Sequence, residues 1–270
     1  MRHLFFSVVL LLASAGGLQA QDAELVTLQT RQDSQGWEGV GRLDIRNKGF
    51  CTAALIRDRL ILTAAHCLYD TDGSLISPER FEFRAGLRDG RAAATRRISR
   101  AFAHPDYNHD GDQGADPAEV ALDIAVLELA QPIRSTRIRP YLIAPRPLTG
   151  DQVGVVSYGR GREGAASLQE VCSVLGRQTG VIVMTCDVEY GSSGSPVFIM
   201  QNGETRIASV ISAMAQVDGE KVSLGTSLNG PLSELLAHFA AFGPARPGGT
   251  QRLMGFGERN DTGAKFVRSN

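Results

Sequence analysis

Apolar residues along this chain fall into short runs broken by turns, and most of the runs have the length of a strand. From Val40, the segment Gly41-Arg42-Leu43-Asp44-Ile45 alternates apolar and polar positions, the period of a half-buried strand. Phe50 to Ile56 and Leu60 to Thr63 are apolar stretches separated by the charged turn Arg57-Asp58-Arg59, which predicts a hairpin. Phe81 to Gly86 is the clearest strand between residues 68 and 100, a region that otherwise reads as short strands and turns. Ala121 to Leu129 is apolar except at Asp123 and Glu128. In the second half, strands are predicted at Val153 to Gly161, 171–175, 181–188, Val197 to Met200, Ile207 to Met214 and Val222 to Leu228. Pro231 to Phe242 instead places Leu232, Leu235, Leu236 and Phe239 at helical spacing. No repeat of 20–50 residues is evident.

Prolines divide this string of strands. Pro132, Pro140, Pro145 and Pro147 crowd the stretch from Gln131 to Thr149, which reads as a connection between two halves. The expected units are 37–135, a linker at 136–149, 150–230, and a helix at 231–242. Residues 21–36 form a polar arm, and 243–270 a polar, Gly-rich tail. The first twenty residues have a basic start, an apolar core from Leu4 to Leu12 and small residues ending at Ala20, a signal-peptide pattern. Cleavage is expected after Ala20, with Ala15 as the alternative. The apolar run is too short to span a bilayer, so a secreted or periplasmic protein with no stable membrane insertion is expected.

Composition agrees. A chain that is 43% hydrophobic and 21% charged suits a soluble globular protein, and 30 glycines with 11 prolines favour many short strands. The net charge of −1 gives no general attraction to nucleic acid, and Arg96-Arg97 and Arg134 to Arg139 read as solvated faces. Four cysteines in an exported chain predict disulfides, with three possible pairings. The local choices, Cys51–Cys67 and Cys172–Cys186, close loops of about fifteen residues, worth roughly 3 kcal/mol each. No C-x-x-C pair points to zinc. Asp106, Asp110, Asp112 and Asp116 lie in a polar loop from His104 to Glu119, without the EF-hand spacing that calcium would favour. A solvated loop is expected there, with His104 and His109 at its surface, and no metal or cofactor is expected in the chain.

The residues that carry chemistry are few. Tyr190-Gly191-Ser192-Ser193-Gly194-Ser195-Pro196 sets a serine among glycines just ahead of an apolar run. A serine nucleophile needs a base for its proton and fixed donors for the negative charge it generates, and glycines let backbone N–H groups approach a substrate. His66 follows a buried-looking strand and sits beside Cys67. Asp123 lies between apolar residues, where a carboxylate is costly unless partnered.

The segments Leu60-Ile61-Leu62-Thr63-Ala64-Ala65-His66-Cys67, Asp123-Ile124-Ala125-Val126-Leu127 and Gly191-Ser192-Ser193-Gly194-Ser195-Pro196 resemble the histidine, aspartate and serine motifs of the chymotrypsin-like serine proteases, in the family's order. The serine motif suggests the bacterial branch that includes the glutamyl endopeptidases. The resemblance covers about residues 37 to 242. It implies an all-β fold of two six-stranded antiparallel Greek-key barrels with a C-terminal helix, the site lying between them. It further implies Ser193 as nucleophile, His66 as base, Asp123 as its support, and N–H groups of Gly191 and Ser193 as oxyanion donors. Ser212 matches a serine that supports the aspartate, and Tyr158 stands where the family carries a tryptophan. Ser192 replaces the aspartate that pairs with a new N-terminus in activated vertebrate members, and no R-I-V-G-G-like site stands near Arg31, so trypsinogen-type activation is not expected; removal of the signal peptide is the expected maturation, with trimming of the polar arm as the alternative.

For substrate preference the resemblance implies a pocket with Asp187, six residues before the serine, where trypsin carries its pocket aspartate, and with Ser212, Met214 and Gly225 around it; a structural role for Asp187 is the alternative. A basic residue ahead of the cut is the first expectation and a small apolar one the second; Ile211, where glutamyl endopeptidases have histidine, argues against glutamate. The expected activity is that of a monomeric serine endopeptidase acting on proteins or peptides. A non-catalytic homologue serving as a binding scaffold, and an esterase with the same triad, are the alternatives.

Overall fold

The computed structural model describes residues 22–109 and 116–242. The proposed signal peptide, the tail, and Asp110 and Asp112 of the acidic loop lie outside the described residues.

Six strands close the first barrel: β2 (Val40–Ile45), β3 (Gly49–Arg57), β4 (Leu60–Thr63), β5 (Phe81–Ala85), β6 (Ala94–Ala103) and β7 (Ala125–Leu129), preceded by a short β1 (Val26–Thr27). Around the ring they run β2-β3-β4-β7-β6-β5, every pair antiparallel. After a two-residue β8 (Leu142–Ile143), the second barrel uses β9 (Gln152–Ser157), β10 (Ser167–Gln178), β11 (Val181–Met184), β12 (Pro196–Gln201), β13 (Glu204–Val217) and β14 (Glu220–Ser227). Its ring order, β9-β10-β11-β14-β13-β12, repeats the connection pattern of the first. Both are Greek keys, with the sixth strand returning against the third and the fourth against the first.

Alternation explains the inward faces. In β2, Val40, Leu43 and Ile45 are buried, and Phe81, Phe83 and Ala85 of β5 pack beside them. Strand β6 is harder to read, because Ile98 is its one buried residue and Arg96, Arg97 and Arg100 interrupt its alternation. The largest apolar cluster joins the barrels: Phe198, Ile207 and Val210 of the second pack with Val40, Leu55 and Leu129 of the first.

Three features lie outside the plain strand pattern. The polar arm is not loose: β1 pairs with Ser167 and Leu168 of β10, and Leu28 is buried. Strand β8, within the Pro-rich connection, pairs in parallel with β13. A one-turn helix α1 (Pro117–Val120), capped by the Asp116 carboxylate on the N–H of Ala118 at 2.9 Å, ends the acidic loop just before Asp123. The described residues end with α2 (Pro231–Ala241) and Phe242; the helix buries Leu232 and Leu235 and lays Phe239 edge-on against Phe102 of β6. No helix among the described residues is long and apolar enough to cross a membrane.

Candidate active site

Strand β4 ends at Thr63, and the chain enters a 3-10 turn, Ala65–Leu68. Ala65, Cys67 and Leu68 are buried, which leaves His66 as the residue of the turn that faces outward. A disulfide from Cys67 to Cys51 of β3 ties this turn to the barrel. Three donors meet at the Asp123 carboxylate, itself 2% exposed: the His66 N–H at 2.9 Å, the His66 ring Nδ1 at 2.7 Å and the Ser212 hydroxyl at 2.5 Å. They satisfy a carboxylate that burial would otherwise neutralise. Burial pushes Asp123 upward, but the His66 charge and these hydrogen bonds outweigh it and hold the group below the usual carboxylate value. Burial likewise pushes the His66 imidazole down, and the Asp123 charge and hydrogen bond lift it above its ordinary value. With Nδ1–H donated to Asp123, the neutral ring carries its lone pair on Nε2.

Ser193 sits on the connection between β11 and β12, which a second disulfide, Cys172–Cys186, ties to β10. Two glycines shape this loop. Gly191 has φ +96°, and a β-carbon there would lie 2.3 Å from the Phe50 ring. Gly194 has φ +80°, and a β-carbon would meet Thr63 Oγ1 at 2.0 Å and the Thr52 carbonyl at 2.3 Å. Thr52, buried in β3, holds the loop from the other barrel. Its N–H donates to the Ser193 carbonyl at 2.8 Å and its hydroxyl to the Gly191 carbonyl at 3.0 Å. The Tyr158 N–H donates to that hydroxyl at 3.0 Å. The Tyr190 carbonyl accepts from Arg160 N–H at 2.8 Å, which turns the next N–H, that of Gly191, to the opposite side of the peptide. Among the described residues, neither the Gly191 nor the Ser193 N–H donates within the protein. Two unspent donors beside a hydroxyl suit an oxygen that becomes negative.

His66 and Ser193 line two adjoining cavities, of about 200 and about 510 Å³. No hydrogen bond joins the Ser193 hydroxyl to the His66 ring in this resting state; Nε2 instead has Cys67 Sγ at 3.9 Å. Such contacts commonly tighten only when substrate is bound. Asp123, Ser212 and Met214 line the smaller cavity with Val188, Glu189 and Ile211. Asp187 and Gly225 do not. The Asp187 side chain is 56% exposed and bonds Lys221 at 3.2 Å, while Glu189 bonds the same ammonium at 2.7 Å. Gly225 is packed in β14, where a β-carbon would meet Ser209 Oγ at 2.3 Å. His104 is buried rather than at the surface, its Nε2 3.4 Å from Glu234 of α2. His109 is also covered, stacked near Tyr69 and Tyr107. Among the described residues, one group of metal-type side chains converges, Cys51, His66 and Cys67, but its sulfurs are spent in the disulfide.

Sequence reasoning missed Thr52, whose partners lie 106 and 139 residues away, and Arg162, which donates to the Ser192 hydroxyl at 3.1 Å. A polar residue inside the apolar run of β3 was the available signal for Thr52.

Two Greek-key barrels with a serine, an imidazole and a buried carboxylate at their junction define a chymotrypsin-like serine protease fold. A model of the trypsin family matches residues 27–226, and the chain belongs to that family. A solved Glu endopeptidase, in complex with MPD, superposes with a TM-score of 0.65 at 19% identity, covering 82% of this chain and 98% of that one. The inactive serine protease PAMR1 of Bos taurus is 34% identical over 109 residues, which is 37% of this chain and 14% of that protein. Serine protease 23 of Macaca mulatta is 23% identical over 247 residues, 78% of this chain and 64% of the relative. Clotting factor C of Tachypleus tridentatus is 25% identical over 56% of this chain and 15% of its own length. The chain thus spans less than two thirds of these curated relatives. Two disulfides, and relatives of this kind, fit an extracellular setting.

Proposed function

We propose that this chain is an exported serine endopeptidase that works through an acyl-enzyme. The observation that carries the reading is the convergence of Asp123, His66 and Ser193 on one cleft beside the two unspent N–H groups of Gly191 and Ser193. In the proposed reaction the Ser193 oxygen attacks the scissile carbonyl carbon and its proton passes to His66 Nε2. Asp123 stabilises the imidazolium, and the two N–H groups bind the oxyanion. Collapse expels the amine, which takes the proton from His66. Water then attacks the ester carbonyl as its proton passes to His66, and collapse expels the Ser193 oxygen, which takes that proton back as the acid product leaves.

Fluorophosphonate labelling of Ser193 together with casein turnover tests this. Both are expected. Labelling without proteolysis would favour an esterase. Neither would favour a binding scaffold, a state with precedent in the relative named inactive. Active-site titration of protein beginning at residue 21 should give a full burst, because no R-I-V-G-G-like activation site precedes the first barrel.

Between the two expected residue preferences the cavity lining is mixed: Val188, Ile211, Ala213 and Met214 line it beside the carboxylates of Glu119 and Glu189, and the exposed ammonium of Lys221 engages Asp187 and Glu189. The basic preference therefore stays first and the small apolar one second. A peptide-library profile decides; dominant cleavage after small apolar residues would reverse the ranking.

A further inference from the structure

We propose that Arg162 is a positioning residue for the oxyanion site: a fixed cation behind the Ser193 loop that keeps the N–H groups of Gly191 and Ser193 turned to the cleft. The assignment rests on the acyl-transfer reading above.

Arg162 lies in the turn after β9, its N–H bonded to the Gly159 carbonyl at 2.9 Å. The guanidinium lies against Gly159, where a β-carbon would come within 2.8 Å of Cζ. From there it forks. Nη1 donates to the Ser157 carbonyl at 2.6 Å, and Nη2 donates to the Ser157 hydroxyl at 2.9 Å and the Ser192 hydroxyl at 3.1 Å. Ser157 and Ser192 are both fully buried. Ser192 is the residue between the two N–H donors, so whatever fixes it fixes them.

The rest of Ser192 is equally committed. Its hydroxyl donates to the Tyr158 carbonyl at 3.2 Å and accepts the Glu189 N–H at 3.2 Å. Its own N–H closes a turn onto the Glu189 carbonyl at 2.8 Å. Arg162 therefore completes a ring of bonds that locks residues 189–192 against the end of β9. A hydroxyl with a single proton, already given to Tyr158, can meet Arg162 only as an acceptor, which matches the guanidinium as donor.

The charge matters as well as the bonds. Among the described residues Arg162 makes no ion pair; its three contacts are to neutral oxygens. Burial draws the guanidinium below its ordinary value, and Asp187, Glu189 and Glu163 act on it only from a distance in the opposite sense. It stays protonated at any working pH. A guanidinium bonded to the residue between the two N–H donors adds positive charge beside them, which favours an anionic oxygen there. Because the cation is a side chain of the folded protein, no newly cut terminus is needed to set the loop. Lysine is a poor substitute, since a point ammonium cannot reach Ser157 and Ser192 in one planar fork.

The test uses the mature full chain with Arg162→Met and Arg162→Lys, read by steady-state kinetics on a peptide substrate and by hydrogen exchange on the resting protein. For Arg162→Met, kcat is expected to fall about 30-fold, less than loss of an oxyanion donor itself, with KM within about threefold. Amide exchange across 189–193 should rise at least about tenfold while the strands of the first barrel stay protected. Arg162→Lys should recover part of the rate. Wild-type kcat and wild-type exchange in Arg162→Met would overturn the proposal, as would a rise in KM alone. If Arg162→Met loses protection throughout, Arg162→Lys decides: a kcat about tenfold down with the first barrel intact supports the assignment, and a wild-type rate and exchange overturn it. If the wild type neither labels nor turns over substrate, the enzyme reading fails, and exchange at 189–193 alone decides the role of Arg162.

Discussion

The base and the nucleophile occupy the same connection in their respective barrels. His66 lies between the third and fourth strands of the first, Ser193 between the third and fourth of the second. Each connection is tied by a disulfide to the second strand of its barrel, through Cys51–Cys67 and Cys172–Cys186. The two loops nonetheless work in opposite ways. In the first, the backbone is spent: the His66 N–H is bonded to Asp123, and only the imidazole is offered to the cleft. In the second, the backbone is itself the reagent, with two glycines at positive φ and two N–H groups kept free. One barrel presents a side chain on a closed turn, the other an open turn with a side chain attached. The first should therefore be vulnerable at side chains, and the second at the main chain as well.

The largest expected effect is shared by neither loop's backbone. Ser193→Ala should lower kcat/KM by about 10⁶-fold and abolish fluorophosphonate labelling, with stability little changed. Next comes the support of the first loop. Asp123→Asn should cost about 10⁴-fold in kcat. It should also move the acid limb of the pH profile. In the wild type the Asp123 charge and hydrogen bond raise His66 above its ordinary value, so activity should be lost as pH falls through that raised value, where the protonated ring can no longer accept a proton. Without the Asp123 charge, burial dominates and the limb should shift to lower pH; an unmoved limb would remove His66 as the titrating base.

The main-chain contrast is sharpened by paired substitutions. Gly194→Ala forces a β-carbon onto Thr63 Oγ1 and the Thr52 carbonyl at positive φ, and should cost at least about 2 kcal/mol in urea unfolding as well as most of the activity. Ala65→Gly in the equivalent loop should cost only about 1 kcal/mol. Similar costs for the pair would erase the distinction. Removing either disulfide as a Cys→Ala pair should cost about 3 kcal/mol, nearly equal for separations of 16 and 14 residues. Asp187→Ala should do least, leaving the peptide-library profile unchanged, because this side chain faces solvent and Lys221 rather than the cavity.

Much of this architecture was legible along the chain. Alternation marks β2, and the break at Arg57-Asp58-Arg59 marks the β3–β4 hairpin, because one face of each strand is buried and the other is not. Strand β6 was not legible, since arginines stand at Arg96, Arg97 and Arg100 across both faces, its register shifts between Ile98 and Arg100, and only Ile98 is buried. The pairing of β1 with β10 was hidden for a different reason. It is made by backbone groups, and the polar residues of the arm carry no period. At the site, the motifs place His66, Asp123 and Ser193 by residue type and order. Spacing cannot say which way a side chain points, so Asp187 was expected in a cavity that it does not line. Thr52 and Arg162 act on backbone and hydroxyl oxygens of distant segments, and no local pattern records such partners.

Thr52 has one more consequence. Its N–H reaches the Ser193 carbonyl, its carbonyl accepts the Thr63 hydroxyl at 2.8 Å, and its own hydroxyl sits between Tyr158 and Gly191. A single residue of one half, through main chain and hydroxyl alike, is thus the hub of the other half's reactive loop, and an apolar cluster also crosses the junction. The halves should not melt separately: calorimetry on the intact chain should show one cooperative endotherm, and a fragment beginning in the proline-rich connection should lack an ordered nucleophile loop.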